Sequence, residues 1–357
     1  MKSSKFLKKY LNAYSPTGQE SEGQQVWIEY MKDWSDEQHT DPYGTAYCLV
    51  KSDSDNYGHT VVIEAHADEI AWMVSQIDSE GFLRVKRNGG SDNMIAPSKQ
   101  VTVITHDGKK HTGVFGYPAV HVREKYTEMG LDQHDLWVDM GTDKEGVEKM
   151  GIEVGNMVVF NDEFGQVGNY YTGRALDNKI GGYIIAEAAR RIKENNIKLP
   201  FDLYVVNSVQ EEVGLHGAKM IAQRLKPDFA LVHDVCHNTS TPRMNKAKDC
   251  DTKGGNGPVI EYTAQNHRLA IKLIRETANR NNIPVQLTIG SYGNDTMGFF
   301  LANAGTPTAI ISTPLKYMHT TVEMAHVDDV EHAINLFIET LKEIDHDFLT
   351  EIKGGRA

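Results

Sequence analysis

The chain has 357 residues, 40% hydrophobic and 24% charged, enough to bury one large core or two ordinary ones. Its formal net charge of −12 argues against nucleic acid or an anionic lipid surface as partner. Three cysteines, Cys48, Cys236 and Cys250, show no CxxC spacing and cannot all pair, so no disulfide framework is expected and the expected address is the cytoplasm.

No apolar run approaches the ~20 residues of a membrane span. The opening MKSSKFLKKYLNAYSPTGQE lacks the apolar centre of a signal peptide. It reads as an amphipathic helix with Phe6, Leu7, Tyr10 and Leu11 on one face. The segment to about Val74 reads helix, helix, strand, strand, its last strand being HTVVIEAHADEIAWMVSQI. From Ser75 to Gln166 the chain is strand-dense: GFLRVKR, KQVTVITHDGKKHTGVFGYP and GNMVVFNDEFG are short alternating runs. Asp107-Gly108 predicts a hairpin turn, and one helix is expected over Asp143 to Met150.

From Val167 on, helix and strand alternate. ALDNKIGGYIIAEAARRIKENN, GAKMIAQRLKP, HRLAIKLIRETANRNNIP and DVEHAINLFIETLKEIDHDFL carry helical spacing. FDLYVVNSV, FALVHDV, VQLTIG and PTAIIST read as strands. This pattern predicts an α/β fold, a mainly parallel sheet with helices on both faces. The expected domains are a discontinuous α/β unit, residues 1–74 and 167–357, interrupted by a small β-rich insert, residues 75–166, of which a partly closed barrel is one expected form.

In such sheets ligands bind at the carboxyl ends of strands. His66 and Asp68 end one strand, Glu211 and Glu212 another, Asp234 a third; His319 follows a fourth, and Asp177 opens a long helix where it can also act as a cap. His66 and Asp68 at i and i+2 share a strand face, and a metal-bound histidine usually gives its other N–H to a carboxylate. Adjacent Glu211 and Glu212 point to opposite sides, so one can bind a metal while the other acts as a free base. Asp234 in an apolar strand is costly unless paired or metal-bound. Two histidines with three carboxylates suit Zn²⁺, Co²⁺ or Mn²⁺. Two divalent ions with a bridging hydroxide neutralise Asp177, Glu212 and Asp234; without metal those carboxylates repel.

With these residues assembled, the sequence resembles the M42 family of metallo-aminopeptidases, which includes the tetrahedral TET peptidases and glutamyl aminopeptidases. The motifs are AHADEI (65–70), GRALDNKIGG (173–182), QEEVGLHGA (210–218), VHDV (232–235) and KYMHTTVEMAH (316–326). The resemblance implies that His66, Asp177 and Asp234 hold one metal and Asp177, Glu212 and His319 the other, with Asp177 bridging. It implies Glu211 as general base and Asp68 as the residue that orients His66. It also implies a peptidase domain carrying a PDZ-like or barrel-like insert used for dimerisation, peptide substrates, and assembly up to tetrahedral dodecamers. YPAVH (117–121) resembles the family's P-x-H turn. GSYGNDTMGF (290–299), MHTTVE in place of M-H-S-x-V-E, and VHDVCHNTSTP depart from the family pattern, and put the side-chain preference in play.

Two rival readings are an M20-like carboxypeptidase or deacylase and an endoglucanase-labelled relative. About 110 residues separate His66 from Asp177 and fewer than about 60 separate Asp177 from Asp234, an insertion site that favours M42. A glycosidase needs two carboxylates flanking the bond, about 5–9.5 Å apart, and would leave the histidines unused.

Overall fold

The computed structural model describes every residue except 53–57, 123–131, 291 and 355–357; the GSYGNDTMGF departure therefore lies in part, at Ser291, outside the described residues. Helices α1 (Ser3–Asn12) and α2 (Ser21–Met31) precede strands β1 (Glu37–Thr40), β2 (Ala46–Val50) and β3 (Thr60–His66). Next come β4 (Ala71–Ile77), β5 (Leu83–Asn88), β6 (Gln100–Ile104), β7 (Lys110–Phe115), β8 (Trp137–Asp139), α3 (Lys144–Lys149) and β9 (Met157–Phe160). The chain continues through β10 (Gly165–Val167), β11 (Tyr170–Gly173), α4 (Leu176–Glu194), β12 (Asp202–Ser208), α5 (His216–Leu225), β13 (Phe229–His237), α6 (Lys246–Asp249) and β14 (Val259–Tyr262). It ends with α7 (Arg268–Arg280), β15 (Gln286–Ile289), α8 (Thr296–Phe300), β16 (Thr308–Lys316), β17 (Glu323–His326), α9 (Val327–Glu343) and α10 (His346–Lys353).

The large sheet runs β1-β2-β12-β3-β13-β16-β17-β11-β10, with β14 on β16 and β15 on β14. Its centre, β12-β3-β13-β16, is parallel. Both flanks are antiparallel, so the sheet is mixed. Both faces are covered. Val61, Ile63 and Ala65 pack with α1, α2, α4, α7 and α9, while Val62 packs on the other face with α5 and α8. This alternation is the period-two pattern of a strand buried on both sides. The face predicted for the first helix is buried as expected: Phe6, Leu7, Tyr10 and Leu11 are at most 5% exposed.

Strands β4-β5-β8-β7-β6-β9 close into a barrel. Trp72, Val85, Val101, Phe115, Val138 and Phe160 fill it, with Trp72 edge-on to Phe160 at 4.8 Å. The Asp107-Gly108 turn joins β6 to β7 in register. Gly108 sits at φ +79°, a left-handed conformation that glycine adopts without a steric penalty.

Two expected elements are broken. The strand expected over 59–77 is two strands in two sheets, because the backbone between them bonds elsewhere: Ala67 N–H donates to Ser208 O (2.7 Å) and Glu69 N–H to Ser15 O (2.9 Å). The closing helix stops at Ile344 and restarts under Asp345, whose carboxylate caps the Phe348 N–H at 2.8 Å.

Candidate metal centre and active site

Parallel central strands bring their carboxyl ends to one edge. His66 is the last residue of β3, level with Ser208 at the end of β12. Glu211 and Glu212 lie just beyond, Asp234 is in β13, and His319 follows β16. Asp177 lies in the first turn of α4, where Asp177 and Asn178 leave helical geometry and are joined by a cis peptide bond.

The structure brings His66, Asp177, Glu211, Glu212, Asp234 and His319 to the wall of one cavity of about 700 Å³. His66 Nε2 lies 3.3 Å from Asp177 Oδ1, 3.8 Å from Asp234 Oδ1 and 3.9 Å from Glu211 Oε2. His319 Nε2 lies 3.3 Å from Asp177 Oδ2 and 3.4 Å from Glu212 Oε1. Asp177 thus offers one oxygen to each histidine. Two donor groups result, His66–Asp177–Asp234 and Asp177–Glu212–His319, each with its ligand atoms within 4.8 Å of one another.

Asp68 lies beneath, fully buried. Its Oδ1 is 3.3 Å from His66 Nδ1, off hydrogen-bond alignment, so this contact is electrostatic. The carboxylate also accepts from the peptide N–H groups of Glu211 (3.0 Å) and Glu212 (3.2 Å) and from the Thr17 hydroxyl (2.9 Å). One carboxylate therefore fixes both a histidine and the backbone of the glutamate pair.

Three supporting residues were missed in the sequence. Glu323, 2% exposed, accepts from His319 N–H (2.8 Å) and Asp177 N–H (3.0 Å), tying two candidate ligands together. Its only sequence signal was its place in KYMHTTVEMAH. Thr17 lies in a polar loop that offers none. Gly90, just after β5 of the barrel, lies so close to the His319 ring that a β-carbon there would fall 2.5 Å from Nδ1. The barrel thus forms part of the cavity wall.

The electrostatics are those of a cluster short of positive charge. Burial raises the Glu211 carboxyl to about 10, and the charges of Asp295, Asp234 and Glu212 add to it. Burial likewise pushes Asp234 well above the carboxylate range. Hydrogen bonds donated to the carboxylates of Asp177 and Glu212 raise His319 to about 11. For His66 burial acts downward, but Asp177 and Asp68 outweigh it and hold the imidazolium. Protons collect where cations are lacking.

The donors fit a metal on their spacing. A tetrahedral site with arms of about 2.1 Å has donor–donor edges of about 3.4 Å; the measured separations of 3.3, 3.4 and 3.8 Å bracket that value. Nitrogen and carboxylate oxygen are the donors that Zn²⁺ and its neighbours take.

The family model for the M42 glutamyl aminopeptidases matches residues 44–336. A putative aminopeptidase of Acetivibrio thermocellus is 33% identical over 341 residues, covering 94% of this chain and 97% of that one. The crystal structure of a TET aminopeptidase from a marine-sediment Thaumarchaeota archaeon superposes with a TM-score of 0.92 at 29% identity, covering 98% of both chains. A Pyrococcus horikoshii TET1 peptidase, described as able to assemble into a tetrahedron or a large octahedral shell, superposes at 0.82 with 26% identity, covering 96% of this chain and all of that one.

Proposed function

Because the chain belongs to the M42 family of aminopeptidases, enzymes that hydrolyse peptide bonds, we propose that it removes N-terminal residues from peptides with two divalent ions, zinc or cobalt and alternatively manganese. His66, Asp177 and Asp234 would hold one ion; Asp177, Glu212 and His319 would hold the other. The observation that carries this reading is the division of Asp177, Oδ1 to His66 and Oδ2 to His319, each at 3.3 Å.

Ions bound there would supply Lewis acidity, polarising the scissile carbonyl and lowering the pKa of water. Glu211 takes the proton from the attacking water and passes it to the leaving amine. Asp68 holds the Glu211 and Glu212 peptide groups still while this happens. Glu323 does the same for the backbone of Asp177 and His319. Both glutamates of the pair face histidines, Glu211 toward His66 and Glu212 toward His319. That commitment favours peptide hydrolysis over a glycosidase arrangement.

In this reading the large-sheet unit is catalytic and the barrel is the self-association unit; the expected bounds 1–74, 75–166 and 167–357 shift by a few residues, because β4 (Ala71–Ile77) lies wholly in the barrel and β10 (Gly165–Val167) in the large sheet. The assembly is a homo-oligomer built from dimers, up to a tetrahedral dodecamer; the Pyrococcus relative is described as assembling into a tetrahedron or a large octahedral shell. Among the described residues no helix is long and apolar enough to cross a membrane, and all three cysteines are free; both features accord with a cytoplasmic enzyme.

Glu211→Gln tests the mechanism. Hydrolysis of aminoacyl p-nitroanilides should fall by at least about a hundredfold, with metal content unchanged by elemental analysis. Near-normal turnover in that variant refutes the role of Glu211.

A further inference from the structure

The cavity does not end at the ligand cluster. It continues along the sheet to β14, β15 and the segment after β13. We propose that this far end receives the side chain of the N-terminal residue and that Glu261 makes it select a cation, lysine or arginine. The inference rests on the aminopeptidase reading and adds the substrate class.

Glu261 lies in β14. It is 3% exposed, yet it lines the cavity. Its place relative to the metal ligands follows from the sheet. Asp234 pairs in parallel register with Ser312 on the neighbouring β16. The Ser312 hydroxyl donates to Glu261 Oε1 at 2.5 Å, and β14 is the next strand over. Two strand spacings, roughly 10 Å, separate the backbone of Glu261 from that of Asp234. A four-methylene side chain with an ammonium tip suits a span of that order.

The wall is shaped to admit the carboxylate. At Gly290, beyond β15, a β-carbon would run into Glu261 Oε2, so glycine there leaves room for it. Cys236, Cys250, Thr252 and Ile289 supply uncharged walls, suited to the methylene stem of a long basic side chain. Besides the candidate ligands His66 and His319, two basic residues line the same cavity, Lys248 and His237, and both are exposed. Solvent and salt screen charges in that position, whereas a buried carboxylate acts through a low-dielectric wall. Glu261 therefore dominates selection: it attracts ammonium or guanidinium and repels a substrate carboxylate.

The test is a panel of lysyl, arginyl, norleucyl and glutamyl p-nitroanilides with the zinc- or cobalt-loaded enzyme. Norleucine is the control because it resembles lysine without the ammonium. Lysyl and arginyl substrates should exceed norleucyl by about tenfold or more in kcat/KM, with glutamyl slowest, and Glu261→Gln should lower the lysyl-to-norleucyl ratio by at least about tenfold, one lost charge pair being of that order. A wild-type ratio near unity overturns the inference without any variant, so it stands testable even if the substitution impairs folding. Equal loss on lysyl and norleucyl substrates also overturns it, assigning Glu261 to the α-amino group or to the wall. Absence of release from every substrate overturns the aminopeptidase reading and this inference with it.

Discussion

Gly90→Ala probes the contact between the barrel and the candidate metal-ligand cluster. A β-carbon at Gly90 falls 2.5 Å from His319 Nδ1 and 2.7 Å from Cε1, where ordinary contacts are 3.4–4 Å. The ring must retreat by about 1 Å, and little else can move. The His319 N–H is held by Glu323 at 2.8 Å. The glycine loop is anchored at both ends: Asn88 Nδ2 donates to Thr17 O (2.7 Å) and the Ser91 hydroxyl to Ala71 O (2.6 Å). Retreat lengthens the 3.3 and 3.4 Å edges from Nε2 to Asp177 and Glu212. Overpacking of this kind costs about 1–3 kcal/mol, which is roughly 5- to 150-fold in affinity for an ion at that position. The His66–Asp177–Asp234 group does not touch Gly90 in this way. Equilibrium dialysis against graded zinc, followed by elemental analysis, should therefore show one ion held as in the wild type and the second weakened. Gly293→Ala is the control, since it lines the same cavity and a β-carbon there meets no atom of the described residues within 4 Å. Two ions bound to Gly90→Ala with wild-type affinity would refute the reasoning.

Two further outcomes are expected. Ions that bind the folded state alone stabilise it by about 4 kcal/mol at a thousandfold excess over Kd, so chelation should lower the thermal midpoint by several degrees, and readdition of zinc should restore it; a midpoint indifferent to chelator contradicts a bound metal. Away from the site, burial pushes the Asp228 carboxyl upward, but Lys353 Nζ (2.5 Å), the Thr60 N–H (2.9 Å) and His59 Nδ1 (3.0 Å) outweigh it and hold its pKa below the ordinary value. A depressed carboxyl contributes stability above its unfolded pKa of about 3.9, and loses it as pH falls through the folded value. Asp228→Asn should thus cost about 1 kcal/mol at neutral pH in urea unfolding, and the gap should close below about pH 4; a gap that persists in acid would sink the assignment.

The chain itself carried the pattern of elements and most of the residues of the site. Period-two runs such as VVIEAH and helical spacing in KIGGYIIAEAARRI depend on local geometry, so strands and helices were legible where burial repeats regularly. His66, Glu212, Asp234 and His319 were legible as carboxylates and histidines at or just past the ends of apolar strands, costly there without a purpose, and Asp177 as the acid that opens a long helix. Tertiary structure decided what distance in sequence conceals. It broke the 59–77 run into a sheet strand and a barrel strand, since that backbone bonds to Ser15 and Ser208, far away in sequence. It made the sheet mixed, because pairing direction follows the path of connections and leaves no mark on a single strand. It gave Asp68 the peptide groups of Glu211 and Glu212 as partners, and it set Gly90 against His319 and Glu261 at the far end of the cavity. None of those three placements has a local pattern to betray it, because each exists only once separate segments meet.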